Sequence, residues 1–216
     1  MEDACRRVGR DAADVTLMAV SKGVPASLLT SAVAVGLDLF GENRVQEAAA
    51  KIPAVPAATW HLVGRLQGNK AARALELFAT IHSVDSLDLA RRLDRLADVI
   101  DRATPYPVFL QVNVDEDLSK AGFSPAALGL ALDGLVSLPN LELRGLMTIG
   151  RMGGRPEAGR PTFRRLRGLA ESLHSQDSRL GAGLSMGMSD DFEVAVEEGA
   201  TVVRIGRALF GDRLPH

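Results

Sequence analysis

The sequence predicts an α/β chain folded as a single TIM-type (β/α)₈ barrel over residues 1–216. Three observations carry that expectation. Short β-branched or aliphatic runs alternate with helical stretches from end to end, and the runs number eight, the count a closed parallel barrel requires. Six or so units would have pointed to an open, doubly wound sheet instead. At 216 residues the chain is long enough for one substantial core. No internal repeat divides it, and the one linker-like stretch, Arg151 to Pro161, reads as a flexible loop between a strand and its helix.

Taken in order, Val15 to Val20 reads as the first strand; its helix has Pro25 in the first turn and Gly36 at its end. Leu37 to Phe40 is the second strand, followed by the short helix RVQEAAAK. Thr59 to Val63 is the third, before a helix that Asn69 is placed to cap. Thr80 to Val84 is the fourth, with Asp85 or Ser86 capping a helix that extends to Arg102. Val108 to Val114 is the fifth, with a helix opening at Ser124-Pro125. Leu141 to Ile149 is the sixth, leading to a helix around Phe163 to Ser175. Gly183 to Met186 and Thr201 to Gly206 complete the set, with DDFEVAVEEG as the helix between them.

Composition narrows the function. Formal net charge is −2 and the basic residues are scattered, which argues against a nucleic-acid surface. No apolar run approaches the ~20 residues of a membrane span, and the charged N-terminus has no secretory signal. Cys5 is the sole cysteine, which excludes an internal disulfide and a thiolate zinc site; no His spacing implies a metal, and a reducing, cytoplasmic setting is expected.

In barrels of this kind the chemistry sits at the C-terminal ends of the strands. Lys22 follows the first strand by two residues, and it is one of four lysines in an arginine-rich chain. A lysine projecting into a cavity with low-dielectric walls favours the neutral, nucleophilic amine. At the far end of the chain, SMGMSDD and RIGRALFG offer small residues and free amides after the last two strands, where this fold commonly holds phosphate. An amine facing a phosphate cradle admits an imine with pyridoxal 5′-phosphate or with a phosphorylated sugar. Arg204 points toward the former, since an arginine facing a pyridine nitrogen keeps it unprotonated. Pairing of Arg204 with a carboxylate such as Glu42 is the plainer alternative. His82, His174 and Trp60 read as structural; Lys70 and Lys120 would raise the potential at the barrel mouth.

Together these residues resemble the pyridoxal phosphate homeostasis protein family. The likeness runs through AVSK (19–22), FGENRVQE (40–47), WHLVGRLQGNK (60–70), HSVD (82–85), QVNV (111–114), SKAGF (119–123), LRGLMTI (143–149), LSMGMSDDFEVAVEEG (184–199) and VRIGRALFG (203–211). It implies a barrel like the N-terminal domain of alanine racemase, with pyridoxal 5′-phosphate held as a Schiff base on Lys22. It further implies Arg204 beside the pyridine nitrogen, and Ser185, Ser189, Gly206 and the amide of Arg207 around the phosphate. Asn43, His61 and Met147 fall on positions lining the cavity. Three departures stand out: Arg207 replaces a small hydroxyl residue, Arg65 and Gly68 alter a loop, and the segment before the first strand is short.

The resemblance implies a carrier for intracellular vitamin B6 homeostasis, with no catalytic residue, working as a monomer and passing its cofactor to apoenzymes. A weak amino-acid racemase is the alternative. Its two-base chemistry wants a tyrosine from a C-terminal domain, which a chain running out at His216 is not expected to supply. Tyr106 is read as lying before the fifth strand, at the wrong end of the barrel. A Schiff-base aldolase would want an acidic base, for which Glu42 is the candidate.

Overall fold

A computed structural model of the chain describes residues 1–100, 102–150 and 155–211. Among these, eight parallel strands pair in sequence order and close into a barrel: β1 Thr16–Val20, β2 Leu39–Glu42, β3 Thr59–Leu62, β4 Thr80–Val84, β5 Tyr106–Gln111, β6 Leu141–Met147, β7 Gly183–Met188 and β8 Val202–Ile205. Closure is made by β1 against β8, with Thr16 opposite Val202 and Ala19 opposite Ile205. The helices are α1 Glu2–Arg7, α2 Ala26–Ala34, α3 Val45–Lys51, α4 Ala71–Leu77, α5 Leu87–Ala97, α6 Pro125–Val136, α7 Arg160–Gln176, α8 Phe192–Glu197 and α9 Arg207–Phe210.

The strands alternate in direction of side chain, so each presents one set outward and one inward. The outward set, including Phe40, Leu62, Ile81, Leu110, Val203 and Ile205, joins buried residues of the helices such as Leu93, Leu128 and Leu166 in one continuous apolar core. Each fully buried Leu or Ile contributes on the order of 1.5–3 kcal/mol, so this outer layer is the main source of stability. α5 shows how the sequence encodes it: Leu89, Ala90, Leu93 and Ala97 face the core while Arg91, Arg92 and Arg95 face solvent. Ser86 starts that helix by accepting from the Leu89 amide at 3.3 Å, and Ser124 starts α6 in the same way. α1 packs on α8, and Arg10 beyond it donates to the Val196 and Ala200 carbonyls.

Several boundaries differ from those read off the sequence, each for a local reason. β2 begins at Leu39 and takes in Gly41 and Glu42, so Glu42 is a strand residue rather than the start of a loop. β5 begins at Tyr106 and stops at Gln111, because the backbone beyond it turns to bond Phe123, with Phe123 N donating to Gln111 O and Asn113 N to Phe123 O. Asn69 caps nothing; it lies within a 3₁₀ turn, Gly68–Lys70, that carries the chain into α4. α5 ends at Ala97, ahead of Arg102. Of the glycine-rich stretch, residues 151–154 lie outside the described residues, while Pro156–Gly159 forms a 3₁₀ turn and Arg160 opens α7.

Gly145 sets the backbone of β6 tight against Gly183 of β7. It holds φ 144°, and a Cβ there would lie 2.0 Å from the Gly183 carbonyl oxygen. Gly145→Ala is therefore expected to cost about 2–3 kcal/mol, read as a lower midpoint in urea unfolding.

Candidate functional site

The inward side of the barrel, at the C-terminal ends of its strands, is polar where barrels usually carry aliphatic layers. His82 on β4 bonds Ser185 on β7, Nδ1 to Oγ at 2.9 Å. These strands are not neighbours in the sheet, so the bond crosses the barrel interior. His82 Nε2 also meets His61 Nδ1 at 3.0 Å, and Phe109 stacks on the His82 ring with centroids 4.4 Å apart. On the other side of Ser185, Arg204 Nη1 donates to its Oγ at 2.9 Å and its carbonyl at 2.7 Å, while Nη2 donates to the Thr148 carbonyl at 2.8 Å.

A guanidinium only donates, so Ser185 Oγ accepts from Arg204, while the His82–Ser185 and His61–His82 bonds take their direction from the histidine tautomers. Burial pushes His61 down to about 4. His82 lies well below its ordinary value, chiefly from burial, with His61 and Arg204 adding repulsion. Burial also lowers Arg204, 5% exposed, to about 10, which keeps it cationic at neutral pH. The site thus holds one fixed positive charge and two neutral imidazoles.

Lys22 is the second residue of a β-turn, Ser21 to Val24, after β1. Val24 N donates to Ser21 O at 2.9 Å, and Gly23 takes φ 74°, the left-handed value a type II turn demands at its third residue. The Lys22 side chain is half-buried. Because β1 pairs with β8, the turn lies beside Gly206, whose Cβ, were there one, would meet Val20 O at 3.3 Å. There Ser189 Oγ accepts from the Gly206 amide at 3.2 Å and the Ala208 amide at 3.4 Å. Two backbone amides so converge on the Ser189 hydroxyl beside the Lys22 turn.

The remaining expectations divide. Met147 is fully buried at the end of β6, opposite Ser185 in register. Asn43 follows β2, half-buried, and lines a cleft of about 1250 Å³ with Arg44, Arg65, Lys70, Arg92 and Asp85. Lys70 lines the same cleft, which also holds Asp88, whereas Lys120 is directed to the carbonyls of Ile149 and Gly150. The Arg207 side chain is spent on Asp190 at the surface. The alternative pairing of Arg204 with Glu42 does not occur: Glu42 bonds Lys51 and Ser21. His174 is structural, bonded to Leu180 O. His82 is structural as expected, fully buried and bonded to Ser185 and His61; its inward place in the alternation of β4 was the available signal, and its partner on β7 was not visible in the sequence. Tyr106 opens β5 rather than preceding it, and its hydroxyl bonds Phe78 O at 2.5 Å.

A closed (β/α)₈ barrel of this kind is the fold of the alanine racemase N-terminal class. The family model described as "Alanine racemase, N-terminal domain" matches residues 1–214. A pyridoxal phosphate homeostasis protein of Pseudomonas aeruginosa is 44% identical over 99% of this chain and 91% of its own, and one of Aquifex aeolicus is 40% identical over 99% and 93%. The structure of PipY of Synechococcus elongatus, solved without PLP, superposes with TM-score 0.88 at 44% identity, covering 97% of this chain and 99% of that one; the same protein with PLP bound gives 0.85 at 43%, covering 97% and 98%. Alanine racemase of Clostridium difficile shares the fold alone, with TM-score 0.73 at 15% identity over 56% of its length. The chain belongs to the alanine racemase N-terminal domain family, and within it to the pyridoxal phosphate homeostasis proteins.

The depressed histidines give a pH dependence with a definite sign. The unfolded chain takes up protons on them near 6.5, whereas folded His61 resists until about 4. Their contribution is therefore full above pH 6.5 and is lost as pH falls toward 4. A His61→Gln, His82→Gln double variant should lose less Tm than the parent between pH 7 and 4.5; an equal loss would count against buried neutral imidazoles.

Proposed function

We propose that this protein binds pyridoxal 5′-phosphate covalently through Lys22 and serves to hold the intracellular vitamin B6 cofactor without robust catalysis. The observation that carries the reading is the juxtaposition, across the β1–β8 closure, of the Lys22 turn with the amides of Gly206 and Ala208. The cofactor supplies an aldehyde that condenses with an amine, releasing water. The chain supplies everything else. Lys22 offers the amine from a rigid turn. Ser189, Gly206 and Ala208, with the backbone of Arg207, offer polar groups for the phosphate, whereas Ser185, expected there, is bonded to Arg204 and His82 in the barrel interior. Arg204 is held by Ser185 and Thr148 with donors only, so a ring nitrogen facing it must accept and stays unprotonated. Asn43, His61 and Met147 shape the cavity. PipY, solved with PLP bound, and the named relatives support the same cofactor.

The carrier reading includes a single domain acting as a monomer in the cytoplasm, with PLP-requiring apoenzymes as recipients. Among the described residues no helix is long and apolar enough to cross a membrane, and no group of His, Cys, Asp and Glu could hold a metal. A weak racemase-like activity is the second reading, favoured by the shared fold of alanine racemase. Against a strong one stands Tyr106, the sole tyrosine, whose hydroxyl is committed to Phe78 O.

Borohydride reduction followed by peptide mass spectrometry should place the pyridoxyl group on Lys22. Lys22→Ala should abolish covalent attachment and leave thermal stability within about 0.5 kcal/mol, as expected for a residue outside the core. An adduct persisting in that variant would assign the chemistry to another lysine. Arg204→Ala should weaken cofactor affinity about tenfold or more and shift its absorption; unchanged spectra would remove Arg204 from the ring.

A further inference from the structure

Beneath the Lys22 turn lies a second lysine that neither the sequence motifs nor the cofactor reading assign. Lys51 is the last residue of α3 and is only 9% exposed. Its ammonium has three hydrogens, and the structure gives it three acceptors: Ser21 O at 2.7 Å, Glu42 Oε1 at 2.6 Å and Glu47 Oε1 at 2.6 Å. Each acceptor leads back to the turn. Ser21 O is also the acceptor that closes the turn from Val24 N. Glu42 Oε1 accepts from Ser21 Oγ at 2.7 Å, and Glu42 Oε2 from the Asn43 amide at 3.2 Å. Glu47 Oε1 accepts from the Gly23 amide at 2.6 Å. The residues on both sides of Lys22 are thus tied, through two carboxylates and one carbonyl, to a single ammonium.

We propose that Lys51 is a positioning residue: it clamps the Ser21–Val24 turn so that the neighbouring lysine, and not itself, presents its amine to the barrel mouth. The inference rests on the reading of Lys22 as the cofactor-binding amine. Two physical points favour it. An ammonium whose three hydrogens are all engaged by two carboxylates and a carbonyl has no lone pair to attack an aldehyde, which separates the roles of two lysines lying close together. The buried charge also needs its partner, since Glu42 is 0% exposed. Burial raises the Glu42 carboxyl against the pull of Lys51 and Ser21, whereas for Glu47 the Lys51 and Gly23 contacts outweigh burial and lower it. The cluster therefore keeps at least one carboxylate opposite Lys51 at neutral pH.

The test begins without cofactor. Amide hydrogen exchange in Lys51→Met should quicken at least tenfold at residues 21–24 while amides of β4 and β5 keep their parental rates. Cofactor affinity should fall about tenfold in parallel. Because Lys51→Met strands Glu42, a milder variant guards against misfolding: Glu47→Ala retains the Lys51–Glu42 pair and should loosen the Gly23 side alone. Glu47→Gln, which keeps an acceptor for the Gly23 amide, should restore most of the protection. If folded Lys51→Met or Glu47→Ala exchanges at parental rates in the turn and binds cofactor with parental affinity, the clamp is refuted. Failure of the Lys22 reading shows separately, as a parental adduct found on another lysine, and leaves the cofactor-free exchange result to judge the clamp by itself.

Discussion

Closure of the barrel between β1 and β8 is the constraint on which the site depends. Pairing the first strand with the last sets Ala19 opposite Ile205, and so brings a lysine near the start of the chain beside a glycine near its end. Neither half of the chain contains the site. Parallel pairing also requires every strand to point its C-terminal end the same way, which gathers the turns after β1, β7 and β8 on one face. The outward apolar layer stabilises that arrangement, leaving the inward layer at the mouth available for polar chemistry.

The inward polar layer stays satisfied because each member's needs match its neighbour's. Arg204 can only donate, and it finds two carbonyls and a hydroxyl. That hydroxyl also bonds His82, and His82 in turn bonds His61. A half-satisfied network in so dry a place would cost more than an apolar one. Here the same desolvation that would penalise charge keeps the imidazoles neutral, so Arg204 carries the positive charge of the layer.

The Lys51 cluster is the counterpart on the opposite side of the Lys22 turn. A buried ion pair adds little net stability because desolvation offsets its Coulomb energy, yet removing one partner is costly. Such groups are better understood as devices that select one conformation. In this structure the selected conformation is the turn carrying Lys22, bounded by a hydroxyl, a carbonyl and an amide that all lead to the same cluster.

The sequence by itself determined the eight alternating units, hence the closed barrel, because strand and helix periodicities are local properties of neighbouring residues. It also marked Lys22, Ser189, Arg204 and Gly206, since strand ends in a barrel are addresses that can be counted along the chain. Strand limits at β2 and β5 were less legible: Glu42 and Val112 owe their states to backbone partners elsewhere, Leu62 and Phe123. Only the tertiary structure joined His82 to Ser185 across the barrel, turned Arg204 away from Glu42, and set Lys51 under the turn of Lys22. Those choices depend on which side chains meet through space, and no spacing along one strand records a contact made with another.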